Sequence, residues 1–104
     1  MSDAESKAVH LKGFIDVPQE RLKDITAALP LHLKLTLAEP GCNYFNVAPS
    51  SEKLGRFTVD ESFVNQAAFE AHQSRNRQSD WYQVTAGIPR SYEVTVGEKV
   101  TSKV

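Results

Sequence analysis

The chain has 104 residues, of which 40% are hydrophobic and 24% charged, and its formal net charge is -1 at pH 7. This length and composition predict one globular domain with a modest core. The slightly acidic balance offers no basic surface for nucleic acid. No apolar stretch approaches the roughly 20 residues that a membrane span needs, so a membrane partner is not expected.

Cysteine and histidine are too sparse to indicate a disulfide or a metal site. Cys42 is the one cysteine, so no internal disulfide can form, which is typical of a reducing cytoplasm. The three histidines lie far apart in sequence, without metal-ligand spacing. The polar, acidic start of the chain does not resemble a signal peptide. We therefore expect a cytoplasmic protein without a metal.

The first part of the chain predicts a loose tail, a strand and a long helix. Residues 1–7 offer nothing to bury, and alternation predicts a strand at 8–17. Apolar residues at helical spacing predict a helix at 18–38, which Pro40 and Gly41 end. Pro30 lies inside this helix and removes a hydrogen-bond donor, so a kink or break is expected near 28–29.

The rest of the chain predicts a hairpin, a second helix and a further strand. Strands at 42–49 and 56–63 are separated by a short turn, which indicates an antiparallel pair. Asn65 is a plausible cap for a helix at 66–74, and a short helical turn is expected at 81–84. Alternation predicts a fourth strand at 90–96, after which residues 99–104 are expected to form a polar tail.

The order β-α-β-β-α-β predicts an α+β, ferredoxin-like domain over residues 8–98, with a four-stranded antiparallel sheet. Its helices would cover one face of the sheet. Alternation gives both faces apolar members, with Phe14, Tyr44, Phe45, Tyr92 and Val94 among them. Soluble monomers rarely expose a large apolar patch, so we expect a face-to-face homodimer.

Three motifs follow one another in the chain: E-P-G-C at 39–42, R-F-x-x-x-E at 56–61 and A-F-x-x-H at 68–72. With their spacing, they resemble the antibiotic biosynthesis monooxygenase family over residues 9–96. The resemblance implies a dimeric α+β barrel, in which two ferredoxin-like subunits pack sheet to sheet. Some members oxidise polycyclic phenols or quinols with dioxygen and no metal or flavin. For this chain that implies a small aromatic or quinone-like substrate and no cofactor.

Two departures bear on the function that the resemblance implies. Haem-degrading relatives use an Asn on the first strand, and the strand VHLKGFIDV contains none, which counts against haem breakdown. Many members place Trp after the R-F-x-x-x-E strand, where this chain has Phe63. An aromatic clamp could survive that change, but a role that depends on an indole could not.

His72 and Glu61 are the candidate catalytic residues. A histidine titrates near neutral pH and could turn a phenol into its anion, which reduces dioxygen more readily. Glu61 shares a strand face with Phe57 and Val59, and a hydrogen bond from it would orient the imidazole. Alternatively, His72 is a helix-edge histidine tied to a carbonyl or carboxylate, and Glu61 is a structural anchor.

Five further residues are candidates for substrate binding. His32 lies beside the buried stripe of the first helix and enters the pocket, unless it is a surface histidine. Trp81 lies on a short segment that resembles a lid. Arg75 could bind a carboxylate or phenolate, although most arginines are solvated. Tyr44 and Phe63 could sandwich a planar ligand, although strand aromatics more often belong to the core.

Three functions remain open from the sequence. The first is a cofactor-independent monooxygenase that acts on an aromatic or quinol-like molecule. The second is a dimer that binds a small hydrophobic ligand without chemistry, and the third is a dimer whose interior is filled by side chains. A cavity beside His72 would separate the first two from the third.

Overall fold

The computed structural model describes residues 7–97 and, as backbone, 99–103. It confirms the α+β, ferredoxin-like fold. Of the tail expected at 1–7, all but Lys7 lies outside the described residues. The elements in chain order are β1 Val9–Asp16, α1 Leu22–Leu37 after a 3-10 turn at Gln19–Arg21, β2 Cys42–Pro49, β3 Arg56–Phe63, α2 Gln66–Arg77, α3 Asp80–Val84, β4 Arg90–Val96 and β5 Lys99–Lys103.

The sheet has the order β2-β3-β1-β4-β5, and every neighbouring pair is antiparallel. Four of its strands are those expected from the sequence. The fifth, β5, lies in the segment expected as a polar tail and pairs with β4 after Gly97, whose φ is 63°. That left-handed conformation favours glycine and allows the chain to turn back on itself.

The helix α1 is continuous through Pro30, so of the kink or break expected near 28–29 the break does not occur. Ile25 and Thr36 lie on either side of the proline, and both are fully buried. Ile25 packs in one core cluster with Ile15 and Phe57. We attribute the intact helix to this packing, which outweighs one missing hydrogen bond.

Two apolar clusters form the core between the sheet and the helices. One lies around the start of β1 and the end of β3 and includes Val9, Phe63 and Phe69. The other lies around the end of β1 and includes Ile15 and Ile25. Gly13 separates the two stretches of β1, and a Cβ there would lie 2.7 Å from the Tyr92 ring. The same Cβ would lie still closer to the backbone oxygen of Ser91, so a side chain at position 13 would push β4 away from β1.

The outer face of the sheet, away from the helices, is more polar than alternation suggested. Tyr92 and Val94 pair with Gly13 and Leu11 and so lie on the helix side, which leaves Phe14 and Tyr44 outside. Arg56 lies 3.6 Å above the Phe14 ring, and Tyr44 is hydrogen-bonded to a neighbouring histidine. Among the described residues, no helix is both long and apolar enough to cross a membrane.

Candidate active site

A cavity of about 300 Å³ lies between the helix side of the sheet and the helices. This is at the small end of the volume range of ligand pockets. Its apolar wall comes from the strands, and its polar groups come from both the sheet and the helices. The apolar wall includes Leu11, Ile15, Phe45, Val47 and Val59.

His72 lies on the cavity wall because of how α2 begins. The Asn65 side chain accepts a hydrogen bond from the Ala68 amide at 2.9 Å and caps the helix. Phe69 and His72, three residues apart, then fall on its buried side. The imidazole is 2% exposed and stacks on Phe63 with ring centroids 4.7 Å apart. The expected inward direction of His72 is therefore confirmed.

The carboxylate that orients His72 is Glu39. His72 Nδ1 lies 2.9 Å from Glu39 Oε2, so a neutral imidazole with its proton on Nδ1 donates this bond. Arg75 approaches the same oxygen at 3.0 Å through Nε and also donates to Thr36 Oγ1 at 2.9 Å. The Glu39 carboxylate is thus fixed by two partners. The arrangement leaves His72 Nε2 with a free lone pair.

Glu61 faces the other nitrogen of the ring. Its Oε1 lies 3.9 Å from His72 Nε2, which is too far for a hydrogen bond. Burial, together with the nearby charges of Glu39 and Asp60, raises the pKa of Glu61 to about 8. Burial lowers the pKa of His72, and the hydrogen bond that it donates to Glu39 partly opposes this. At neutral pH the site therefore holds a neutral imidazole beside a protonated carboxyl.

The expected hydrogen bond between Glu61 and His72 is thus not formed, and its orienting role belongs to Glu39. Glu39 follows α1 directly and lies 33 positions from His72 in sequence. Helical and strand periodicity cannot detect such a pairing across a loop. The one signal in the sequence was the motif E-P-G-C, which contains Glu39.

His32 and Trp81 form one side of the cavity as a flat pair. Their ring centroids lie 4.7 Å apart with an interplanar angle of 6°. His32 is 4% exposed, so the surface interpretation is wrong, and burial lowers its pKa to about 3. Among the described residues, its Nδ1 has no hydrogen-bond partner. An unpartnered buried nitrogen at a cavity wall is a candidate contact for a ligand.

The segment that carries Trp81 is held at both ends. The Ser79 side chain caps α3 by accepting from the Tyr82 amide, and Arg21 donates to the carbonyls of Val84 and Ala86. A helix of five residues has little stability alone. These contacts therefore hold the segment in which Trp81 lines the cavity.

Three other candidates lie elsewhere. Tyr44 lies on the outer face of the sheet and does not reach the cavity; its neighbour Phe45 does. Phe63 is fully buried beneath His72 and supports that ring. Arg75 is bound to Glu39 and Thr36, so it holds the carboxylate in place. Alternation placed Tyr44 and Phe45 on opposite faces correctly, but it does not determine which face is inside.

The sequence profile of the antibiotic biosynthesis monooxygenase family matches residues 8–84. A search of curated proteins gave no match. A Nitrosomonas europaea protein named for the same family has a TM-score of 0.71 and 17% identity, covering 93% of this chain and 95% of that one.

Two further solved structures are similar to this chain. MupZ from Pseudomonas fluorescens has a TM-score of 0.72 and 15% identity, over 92% of this chain and 72% of its own. Rv0793 from Mycobacterium tuberculosis has a TM-score of 0.69 and 19% identity, over 91% and 99%. At such identities the structural likeness supports the fold, and function has to be argued from the site.

Proposed function

The chain belongs to the antibiotic biosynthesis monooxygenase family, and on this premise we propose that it oxidises a small phenolic or quinol-like molecule with dioxygen, without a metal or flavin. The observation that carries the proposal is the Glu39–His72 pair on the wall of a cavity that is lined by apolar strand residues and by polar side chains. A carboxylate that holds Nδ1–H directs the basic lone pair of Nε2 away from itself. That is the arrangement of a general base.

His72 Nε2 takes the hydroxyl proton of the substrate. The resulting phenolate is electron-rich and passes electrons to dioxygen. For a phenol with a free para position, one oxygen atom replaces the para hydrogen and the other leaves as water, so that phenol and dioxygen give quinone and water. All four electrons come from the substrate. The protein supplies the base, the fit and the exclusion of bulk water.

Glu61 is the acid of the same reaction. Because its carboxyl is protonated at neutral pH, it can donate a proton to the oxygen that departs as water. Its position 3.9 Å from His72 Nε2 leaves it within reach of the base for reprotonation through a small movement. Two groups whose surroundings separate their protonation states are typical of acid and base partners.

The test is dioxygen uptake by the purified protein with a panel of naphthols and hydroquinones. His72→Ala should lose at least about a hundredfold in rate, the usual contribution of a general base, while its circular dichroism stays native. Normal turnover by this variant would show that His72 is not the base. Thermal stabilisation by panel members without any uptake would instead favour a binding protein without chemistry.

We also propose that the protein is a homodimer in which the outer faces of two sheets meet. The support comes from that face: Asp60 lies on it, and its Oδ1 is buried without a hydrogen-bond partner among the described residues. Buried carboxylate oxygens are rarely left unpaired. A second copy packed on this face would supply donors to such groups.

A further inference from the structure

The charges around the cavity are arranged unevenly. Half of the lining residues are buried, and the exposed ones, Arg77, Tyr82 and Arg90, mark its mouth. Two of these three are arginines. Glu61 is the one carboxyl among the residues that line the cavity, and it is buried at the inner end beside His72. A ligand in the cavity therefore meets two cations at the mouth and no ionised carboxylate there.

The two arginines differ in what already binds them. Arg90 donates through Nε and Nη2 to the backbone carbonyls of Ile88 and Thr85, which fixes its guanidinium beside the cavity. Arg77 ends α2, and within residues 7–97 its side chain makes no hydrogen bond or ion pair. A guanidinium that has no protein partner and lies at a cavity mouth is available to a planar anion, which it can bind through two parallel hydrogen bonds.

We infer that the substrate is an aromatic carboxylic acid, bound with its carboxylate at Arg77 and Arg90 and its phenolic hydroxyl at His72. This inference rests on the proposed function and narrows its substrate class. The inner end offers a neutral base and a protonated acid, both suited to a hydroxyl group. The mouth offers positive charge, suited to a carboxylate. The apolar walls of Phe45, Val47 and Val59 between the two ends fit a flat ring system.

Binding can be measured without turnover because Trp81 is the one tryptophan of the chain and lies in the cavity wall. The probes are 6-hydroxy-2-naphthoate and its neutral amide, which share the ring and hydroxyl and differ in charge. Each is titrated under nitrogen while the quenching of Trp81 fluorescence is followed. We expect the acid to bind about tenfold more tightly than the amide, a preference typical of a charge-assisted hydrogen bond.

The substitution Arg77→Gln should reduce this preference to about threefold or less, and Arg77→Glu should abolish it. Lys23→Gln is the matched control, since Lys23 is exposed on α1 and does not line the cavity; it should keep the full preference. Equal affinity of the wild type for acid and amide, or no quenching by either, would overturn the inference. So would an unchanged preference in Arg77→Glu.

The result of this binding experiment can be distinguished from the result of the dioxygen-uptake test of the proposed function. If the acid binds preferentially but no dioxygen is consumed, the carboxylate-binding site at Arg77 and Arg90 stands and the monooxygenase proposal fails. If neutral phenols are oxidised and the acid has no binding advantage, the monooxygenase proposal stands and the carboxylate inference fails.

Discussion

Glu39, His72 and Arg75 act as one unit, because a single carboxylate accepts hydrogen bonds from both other side chains. Arg75 holds the carboxylate, and the carboxylate fixes which imidazole nitrogen carries the proton. Removing the charge of Glu39 therefore affects the base without touching the substrate. A residue of this kind positions the base and need not enter the cavity itself.

Glu39→Gln is expected to lower the rate of dioxygen uptake by roughly a hundredfold, with little change in the KM for substrate. The reason is that the hydrogen bond and charge of Glu39 raise the pKa of His72, so their loss weakens the base. The measurement is the pH profile of kcat. Its acidic limb should move to lower pH, and an unmoved limb would show that Glu39 only stabilises the fold.

The free energy of unfolding should pass through a maximum near pH 6.5. Glu61 has a folded pKa of about 8 against an ordinary 4.5, so the folded state holds more protons and stability falls as the pH rises toward 8. His32 has a folded pKa of about 3 against 6.5. The unfolded state then holds more protons below pH 6.5, and the lowered pKa of His72 adds to this effect. Together the two histidines outweigh the opposite effect of Glu61, so stability falls as the pH drops below 6.5.

Denaturant titrations at pH 5, 6.5 and 8 measure both sides of this maximum. Glu61→Gln should flatten the alkaline side, because glutamine has no proton to lose, and should make the acidic side steeper, because Glu61 opposes the effect of the histidines between pH 4.5 and 6.5. His32→Phe should make the loss of stability below pH 6.5 smaller. The contribution of His72, whose pKa is also lowered, would remain. A wild-type protein equally stable at pH 6.5 and 8 would contradict the assigned protonation of Glu61.

For single residues, the sequence predicted which way a side chain points better than it predicted the hydrogen-bond partner of that side chain. Periodicity placed Glu61 and His72 toward the cavity, since a strand repeats every two residues and a helix every 3.6. It could not show that His72 pairs with Glu39, because that contact depends on where a loop leaves α1. His32 and Tyr44 illustrate the same limit: being inside or outside is a property of the assembled fold.

At the scale of elements, the contact between α2 and the loop before β2 sets the height of His72 above the sheet. Gly41 lies in that loop, and a Cβ added to it would lie 2.3 Å from the Ala68 Cβ. The backbone at Gly41 also accepts a hydrogen bond from the Val64 amide at 2.8 Å. The glycine of the E-P-G-C motif is thus required for close approach.

Gly41→Ala is expected to cost about 1–3 kcal/mol, the typical range for overpacking. Ala68→Gly alone should cost about 1 kcal/mol for helix propensity. In the double variant the clash is relieved, so the cost of Gly41→Ala should fall by more than half, and activity should partly return. Urea titrations of the wild type, the two single variants and the double variant give the coupling free energy between positions 41 and 68. Strict additivity would mean that the two positions do not meet.

The helix α1 and the strand β5 differ from what the sequence predicted. Pro30 predicted a break in α1, but buried side chains on both sides of it hold the helix together. The segment that became β5 is mostly polar, so nothing in its pattern marked it as a strand. Its pairing is supplied by the exposed edge of β4, which a single sequence does not reveal. The other elements follow from alternation, helical spacing and caps.

At the scale of the whole molecule, the outer sheet face is the expected subunit contact. Thr58 is exposed on that face in the middle of β3. Thr58→Arg should therefore produce a monomer of about half the mass of the wild type, because a bulky charge opposes close packing of two sheets. Leu54→Arg is the control, since Leu54 is 94% exposed in a turn. Analytical ultracentrifugation measures both, and a monomeric wild type would disprove the dimer.

The cavity lies on the helix side of the sheet, and the outer face lies on the opposite side. In the proposed dimer each copy would carry its own cavity, with both sheets between the two cavities. Ligand binding should show a stoichiometry of one per chain and a Hill coefficient of about 1. Dissociating the subunits would then leave the affinity of each site intact.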